Sequence, residues 1–192
     1  MEIKNFVKIY DEVLPAAAHL NLLRYAKTLN FDNAKIIGKG SEHEVNTNIR
    51  KTNVYALTNL LSNNSFSSIH WFCLLTNFFT GCLNKYKIDL NIIEYHWTNL
   101  LDVSILKYED KGFYTWHTDH CAQIPRTMSC ILLLNDDYEE GELCFRNPDG
   151  SGEWKVEVKP NRMIIWPSNF LYPHTVKPVT KGTRYSVVCW AL

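Results

Sequence analysis

From residue 100 onward the chain consists of short apolar or alternating runs separated by turn residues, and this feature most strongly limits the folds it can form. The turns are rich in Gly, Asn, Asp and Pro, as in EDKG, NPDGSG and KPN. The runs between them are DVSILKY, FYTWHTD, TMSCILLLN, ELCF, EWKVEVK, RMIIW, PHTVKPV and RYSVVCWAL. Many short strands at this spacing indicate a β-sandwich or barrel.

Two helices are predicted in the N-terminal half. Residues 15–30 carry apolar side chains at helical spacing, and Pro15 suits a first turn. Residues 65–86 have a broad apolar face, for which core packing is the expected role. Residues 38–50 are polar, contain two glycines and show no apolar period, so we expect a loop that closes over a substrate. The expected fold is α+β and mainly β, with the N-terminal helices supporting one sheet of a single domain that spans residues 1–192.

Charge and cysteine content argue against several classes of protein. Lys plus Arg and Asp plus Glu both number 20 among 192 residues, so no charge excess indicates nucleic acid or an anionic membrane as partner. The N-terminal sequence MEIKNFVKIYDEVLP has no apolar signal core, and no apolar run approaches membrane-spanning length. Six cysteines without a CxxC pair indicate reduced thiols in a cytoplasmic protein, and a buried structural role is expected for each.

Two histidines and an aspartate lie close together in YTWHTDHC, residues 114–121. Tyr, Trp and Thr favour an extended strand, and no helical spacing or capping residue is present. On a strand that ends near His117, the side chains of His117 and Asp119 share one face, whereas His120 points to the other. The first two are therefore candidate metal ligands, and His120 is expected to be a surface or supporting histidine.

A catalytic metal usually needs a third protein ligand, and His174 in the late run NFLYPHTVKPV is the candidate. Two histidines and one carboxylate on one face of a metal are characteristic of non-haem Fe(II) oxygenases. Arg184 lies within an apolar strand, where a guanidinium needs an anionic partner such as the dicarboxylate 2-oxoglutarate. Taken alone, however, Arg184 is better explained by an exposed edge position or an ordinary salt bridge.

Four segments taken together resemble the Fe(II)/2-oxoglutarate-dependent prolyl 4-hydroxylase-like superfamily, which includes the bacterial PKHD-type hydroxylases. They are LKYEDKGFYTWHTD, RTMSCILLLND, GELCF and PHTVKPVTKGTRYSVVCW, in this order across about residues 103–192. The resemblance implies a double-stranded β-helix, with a jelly-roll catalytic core in residues 91–192 and support from residues 1–90. It also implies Fe(II), 2-oxoglutarate and O2, with ascorbate as a further candidate.

The resemblance assigns roles to individual residues as well. Those expected to act in catalysis or binding are His117, Asp119, His174, Arg184 and Tyr108. The two histidines and the aspartate would bind iron, Arg184 would bind the far carboxylate of 2-oxoglutarate, and Tyr108 would support the co-substrate. Residues 48–57, NIRKTNVYAL, look like the substrate-facing strand of the family. Leu132 stands where some relatives carry a second tyrosine near 2-oxoglutarate, so that contact is expected to be missing.

The implied activity is hydroxylation of a C–H bond with release of succinate and CO2. A peptidyl proline or another protein side chain is the first choice of substrate, followed by a free amino acid or small metabolite. A nucleic-acid base is less favoured, because no second arginine follows Arg184 in YSVVCW. A non-catalytic β-sandwich that binds a partner is the alternative from another class, whereas a zinc hydrolase would have no use for Arg184. The sequence does not indicate an oligomeric state.

Overall fold

The computed structural model describes residues 2–37, 43–57, 65–94, 96 and 99–192. The helices in these ranges are α1 (Ala16–Ala26), α2 (Phe66–Asp89) and a short 3-10 helix (Ile3–Phe6). The strands are β1 (Lys8–Tyr10), β2 (Asp32–Asn33), β3 (Ile36–Ile37), β4 (His43–Glu44), β5 (Arg50–Lys51), β6 (Asn53–Ala56), β7 (Leu100–Tyr108), β8 (Phe113–His117), β9 (Met128–Leu133), β10 (Tyr138–Glu140), β11 (Leu143–Phe145), β12 (Trp154–Lys155), β13 (Arg162–Pro167), β14 (His174–Val176), β15 (Val179–Gly182) and β16 (Arg184–Ala191).

Two antiparallel sheets dominate the fold. The larger sheet has seven strands in the order β1-β13-β9-β16-β7-β6-β2, and the smaller has five in the order β12-β11-β14-β8-β5. The pairs β10-β15 and β3-β4 form separate two-stranded ladders. Strands that are distant in the chain lie side by side, as β16 does between β7 and β9. This crossing pattern is that of a jelly roll.

The two sheets face each other across one hydrophobic core. Alternate residues of β7, β9, β13 and β16 contribute from the larger sheet, because successive side chains on a strand point to opposite faces. Residues of β11 and β14 contribute from the smaller sheet. Members of this core are Leu106, Tyr108, Ile131, Leu133, Leu143, Phe145, Ile164, Trp166, Val176 and Val188.

The helices pack against the other face of the larger sheet. Trp71, Leu75, Phe79 and Leu83 of α2 recur at every fourth position, which places them on one side of the helix. They share a second core with side chains such as Ile105, Leu132 and Val187 from the sheet. Large aliphatic and aromatic side chains buried in this way contribute about 1.5–3 kcal/mol each to folding.

Both predicted helices are present, with shifted ends. The first is shorter than the predicted residues 15–30, since it begins after Pro15 and ends at Ala26. The second covers Phe66–Asp89 rather than 65–86. Neither described helix combines the length and apolar character that crossing a bilayer would require.

The N-terminal half also contributes strands, which the pattern of apolar residues indicated only in part. β1 pairs with β13 and β6 pairs with β7, so both extend the larger sheet. β5 pairs with β8 and extends the smaller sheet. Of the predicted loop at residues 38–50, residues 38–42 lie outside the described part of the chain, whereas β4 and a turn at 47–49 fall within it.

All six cysteines are free thiols. Three are buried in the cores, namely Cys130, Cys144 and Cys189. Cys73 is exposed on α2, so the expectation of a buried role was wrong for this residue. Its position on the helix explains the difference, because it lies on the face of α2 opposite to Trp71 and Leu75.

Candidate active site

Strand pairing in the smaller sheet places two histidines side by side. His117 is the last residue of β8, His174 is the first residue of β14, and the two are partners in the antiparallel register. Asp119 follows shortly after the end of β8. The possible ligand atoms of the three residues lie within 4.8 Å of one another. The structure thus brings together the three side chains that the sequence indicated as metal ligands.

Both histidines present the same ring nitrogen to the carboxylate. His117 Nε2 lies 3.6 Å from Asp119 Oδ1, and His174 Nε2 lies 3.4 Å from Asp119 Oδ2. The other nitrogen, Nδ1, is 2.8 Å from the Thr115 carbonyl in His117 and 3.0 Å from the Tyr172 carbonyl in His174. Because a carbonyl oxygen can only accept, Nδ1 carries the proton in the neutral rings. Each Nε2 lone pair is then available to a metal ion.

The carboxylate is buried and held by hydrogen bonds. Ser129 Oγ donates to Asp119 Oδ2 at 2.6 Å and lies 2.7 Å from Ser168 Oγ. Burial alone would raise the pKa of Asp119, but His174, His117 and the Ser129 hydrogen bond lower it to about 2. Burial, assisted by His174, lowers the pKa of His117 to about 3. An ionised carboxylate beside a neutral imidazole is the state in which these side chains bind a divalent metal.

Aromatic rings fix the orientation of both imidazoles. Tyr114 stacks on His117 with ring centroids 3.6 Å apart, and Trp166 meets His174 edge-on at 4.9 Å. A cavity of about 40 Å³ adjoins the cluster. Apolar side chains form much of its lining, including Leu106, Ile131, Leu143, Val176 and Val188. A site enclosed in this way limits the access of water.

Arg184 is buried and forms no ion pair with any residue that the structure describes. The residue is 1% exposed, and its register partner across β16 and β7 is Tyr108, which lines the cavity. The Tyr108 ring centroid lies 5.1 Å from the guanidinium carbon. Nη1 donates to Ser186 Oγ at 3.1 Å, whereas Nε and Nη2 have no hydrogen-bond partner among the described residues. A guanidinium can present Nε–H and an Nη–H to both oxygens of one carboxylate, so the unpaired groups suit an anionic ligand.

Two other positions singled out in the sequence lie away from the cluster. His120 is exposed, and its Nδ1 donates to the Arg126 carbonyl at 2.8 Å. Leu132 packs on the helix side of the larger sheet, so it was wrongly matched to the position at which some relatives carry a tyrosine near 2-oxoglutarate. Its neighbours Ile131 and Leu133 face the space between the sheets instead. A one-residue shift along a strand exchanges the two faces, which accounts for this error.

A groove of about 390 Å³ opens beside the cluster and includes His117 and Asp119 in its lining. Arg50 of β5 and Arg126, just before β9, also line it. Arg50 lies over the Tyr114 ring at 4.7 Å, and the Nε atoms of both arginines lack a hydrogen-bond partner within the described ranges. Sequence reasoning did not single out either arginine. Arg50 falls within residues 48–57, the segment that resembles a substrate-facing strand, whereas Arg126 lies in an irregular turn that carried no signal.

Sequence comparisons place the second half of the chain among known oxygenases. Residues 103–192 match the family model of the 2OG-Fe(II) oxygenase superfamily. A PKHD-type hydroxylase of Alteromonas mediterranea is 35% identical over 94 residues, which cover 44% of this chain and 40% of that protein. The matched part therefore spans about two fifths of the length of this relative.

Solved structures extend the likeness to nearly the whole chain. A prolyl hydroxylase from Trichoplax adhaerens, in complex with a hypoxia inducible factor oxygen degradation domain peptide fragment, has a TM-score of 0.74 at 16% identity and covers 98% of this chain and 84% of its own. A Pseudomonas putida prolyl-4-hydroxylase has a TM-score of 0.71 at 18% identity, with 97% and 92% covered. At these identities the likeness establishes the fold. Residues 103–192 are thus similar to the 2OG-Fe(II) oxygenase superfamily, and the chain as a whole has a fold like that of the prolyl hydroxylases.

Proposed function

We propose that this chain is an Fe(II)- and 2-oxoglutarate-dependent oxygenase that hydroxylates a C–H bond. The observation that carries the proposal is the buried guanidinium of Arg184, whose Nε and Nη2 lack a partner in the described residues. It lies against Tyr108, which lines the same cavity as the His-Asp-His cluster. A zinc hydrolase would use the cluster but not the arginine. A sandwich that only binds a partner would need neither.

His117, Asp119 and His174 would hold the Fe(II). Two neutral imidazole nitrogens and a carboxylate oxygen are a donor set that iron accepts, and they leave further coordination positions for other ligands. Because Nδ1 of each ring donates to the Thr115 or Tyr172 carbonyl, both Nε2 atoms would be free to bind the ion. Bound iron, together with 2-oxoglutarate and O2, would supply the oxidising chemistry, with release of succinate and CO2.

The remaining residues would position the co-substrate and keep the site dry. Arg184 would bind the far carboxylate of 2-oxoglutarate, and Tyr108 beside it would support the same molecule. Ser129 would hold the Asp119 carboxylate in its orientation. The apolar lining of the cavity, including Trp166, would restrict water around the reacting groups.

A peptidyl proline or another protein side chain is the proposed substrate, and it would lie in the groove beside the cluster. The groove is lined by four parts of the chain: Lys35 and Ile36, three residues between His43 and Arg50, several residues between 114 and 126, and Trp190. An extended peptide can contact such separated segments at once. The prolyl hydroxylase of Trichoplax adhaerens was solved with a peptide, which supports the same choice.

We further propose that residues 1–192 work as one domain, in which residues 1–90 support the catalytic core. β1 and β6 from the first half are strands of the larger sheet, and α2 packs on that sheet. Removal of the N-terminal half would expose the apolar face of the sheet that includes Ile105, Leu132 and Val187. The second half alone is therefore expected to be insoluble.

The test is an anaerobic titration of the purified protein with Fe(II) and 2-oxoglutarate. A weak visible absorption band should appear only when both are present, and it should be absent when Zn(II) replaces iron. Succinate release is then measured in air with peptide libraries and with free amino acids, each with and without ascorbate. Succinate release stimulated by a free amino acid but by no peptide would overturn the substrate proposal. Failure of the Fe(II)-loaded protein to bind 2-oxoglutarate would overturn the proposed function itself.

A further inference from the structure

Tyr138 carries another of the buried polar groups that have no hydrogen-bond partner among the described residues. It is the first residue of β10 and pairs with Gly182 of β15. Its phenolic oxygen is buried and has no partner in good hydrogen-bond geometry within the described part of the chain, although it lies close enough to the Arg184 guanidinium to interact with it. A buried hydroxyl without a partner costs about 1–3 kcal/mol, so native structures rarely keep one that serves no purpose.

The Tyr138 ring lies next to the arginine already assigned to 2-oxoglutarate. A Cβ added to Gly141 would lie 3.4 Å from Tyr138 Cε2 and 3.5 Å from Arg184 Cδ, so both side chains flank the same point. Burial raises the pKa of the Tyr138 phenol, and the Arg184 guanidinium acts against this rise. Gly141 has a φ of +71°, and its missing side chain leaves room for this approach.

The unpaired donors in this region therefore come from two residues. Arg184 contributes Nε–H and Nη2–H, and Tyr138 contributes its hydroxyl. A carboxylate offers two oxygens with about four lone-pair positions, enough to accept from all three donors. Leu133 of β9, which also faces the space between the sheets, has no polar side-chain atom to add to these donors.

We infer that Tyr138 donates a hydrogen bond to the far carboxylate of 2-oxoglutarate together with Arg184. The inference rests on the proposed function and adds a residue to it, a tyrosine that enters from the β10–β15 ladder rather than from the larger sheet. Tyr138 is a binding residue for the end of the co-substrate that does not react. Its loss should therefore change affinity for 2-oxoglutarate without changing affinity for Fe(II).

A purely structural role for Tyr138 predicts the opposite pattern. If the hydroxyl only supported the fold, Tyr138→Phe would lower the melting temperature. If the hydroxyl instead binds a ligand, the same change removes a polar group that is unsatisfied in the ligand-free protein, and that protein keeps or gains stability. Affinity for 2-oxoglutarate should then fall by about 10- to 100-fold, the effect of losing one hydrogen bond to a charged group.

The experiment measures anaerobic binding of 2-oxoglutarate and of 2-oxopentanoate to the Fe(II)-loaded full chain by calorimetry, together with melting of the ligand-free protein. The second ligand keeps the ketoacid end but lacks the far carboxylate. Tyr138→Phe should weaken only 2-oxoglutarate binding. Tyr185→Phe is the matched control, because Tyr185 adjoins Arg184 in sequence but packs in the helix-side core, and it should leave binding of both ligands unchanged.

The possible outcomes distinguish a failure of the role inferred for Tyr138 from a failure of the proposed function. Equal 2-oxoglutarate affinity in wild type and Tyr138→Phe overturns the inference while the proposed function stands. Equal weakening for both ligands also overturns it, since the effect would then not depend on the far carboxylate. If the wild type binds no 2-oxoglutarate, the proposed function fails and the inference fails with it.

Discussion

Replacement of Arg184 by methionine should have opposite effects on stability and on co-substrate binding. The guanidinium is 1% exposed, and its one hydrogen bond to a described residue runs from Nη1 to Ser186 Oγ. A charge that is buried and incompletely paired destabilises a fold by several kcal/mol, and apolar replacements of similar volume at buried charged sites often stabilise by about 1–4 kcal/mol. After allowance for the lost hydrogen bond, we expect Arg184→Met to raise the free energy of unfolding by about 1–3 kcal/mol.

The same change should remove most of the affinity for 2-oxoglutarate. Truncation of one partner of a buried charge pair costs about 2–5 kcal/mol, which corresponds to about 30- to several-thousand-fold in the dissociation constant. Arg184→Lys should recover part of this loss, because an ammonium group supplies the positive charge but not the two parallel N–H groups that pair with both oxygens of a carboxylate. Fe(II) binding should persist in both variants, since all three candidate ligands remain.

Urea denaturation of the ligand-free protein and anaerobic calorimetry measure the two effects. Arg162→Met is the matched control, because Arg162 is also buried but pairs with Asp11 through Nε at 2.7 Å and Nη2 at 3.0 Å. This control should destabilise the protein. If Arg184→Met destabilises it by more than about 2 kcal/mol, the guanidinium has a protein partner and the reasoning from burial fails. Unchanged affinity for 2-oxoglutarate in a folded variant would refute the co-substrate assignment.

The remaining predictions concern the metal ligands and one surface ion pair. Asp119→Ala should abolish Fe(II) binding in equilibrium dialysis, because two ligands do not hold the ion, whereas His120→Ala should retain it. Equal loss of binding in both variants would contradict the assignment of Asp119 and His120 to opposite faces of the chain. Ser129→Ala removes the hydroxyl that donates to Asp119, and it should weaken Fe(II) binding by about 10- to 100-fold. An unchanged affinity for Fe(II) would show that this hydrogen bond has no influence on metal binding. Asp11→Asn should lower the free energy of unfolding by about 1 kcal/mol near pH 6, after allowance for the 34% exposure of the Asp11 side chain. The Arg162 hydrogen bond lowers the pKa of Asp11 in the folded protein to about 2. The stability that the Asp11 carboxylate contributes is therefore complete above its unfolded pKa and is lost as the pH falls towards 2. A stability difference between wild type and Asp11→Asn that stays constant with pH would contradict this explanation.

Features that depend on local periodicity could be predicted from the sequence. The apolar positions of α2 recur with helical spacing, and both helices were predicted for that reason. The alternation of side chains on a strand predicted that His117 and Asp119 lie on the same face, and β8 ends at His117 as expected. The third candidate, His174, was proposed from a late apolar run, and the β8–β14 pairing that brings it near His117 is not revealed by any local pattern.

Features that depend on exact register or on irregular segments could not be predicted. Leu132 was assigned to the wrong face because one residue separates the two faces of β9. Arg126 lies in an irregular segment and Tyr138 begins the three-residue strand β10, and neither place has a repeating pattern that predicts the direction of a side chain. β1 is only three residues long, and its pairing with β13 depends on a contact across most of the chain. Such long-range contacts are visible only once the strands are assembled.

If His117 and His174 hold a metal ion as proposed, their pairing would couple metal occupancy to the local stability of the smaller sheet. Each histidine stands at one end of its strand, so an ion bound between them would link β8 to β14 at the point where that ladder would otherwise fray. Any local opening that separates the two strands must release the ion, and a bound ion adds its binding free energy to the cost of that opening. Backbone amides of β8 and β14 would thus exchange with solvent more slowly as free Fe(II) rises. Those of β9 and β16, at the centre of the larger sheet, would report only global unfolding.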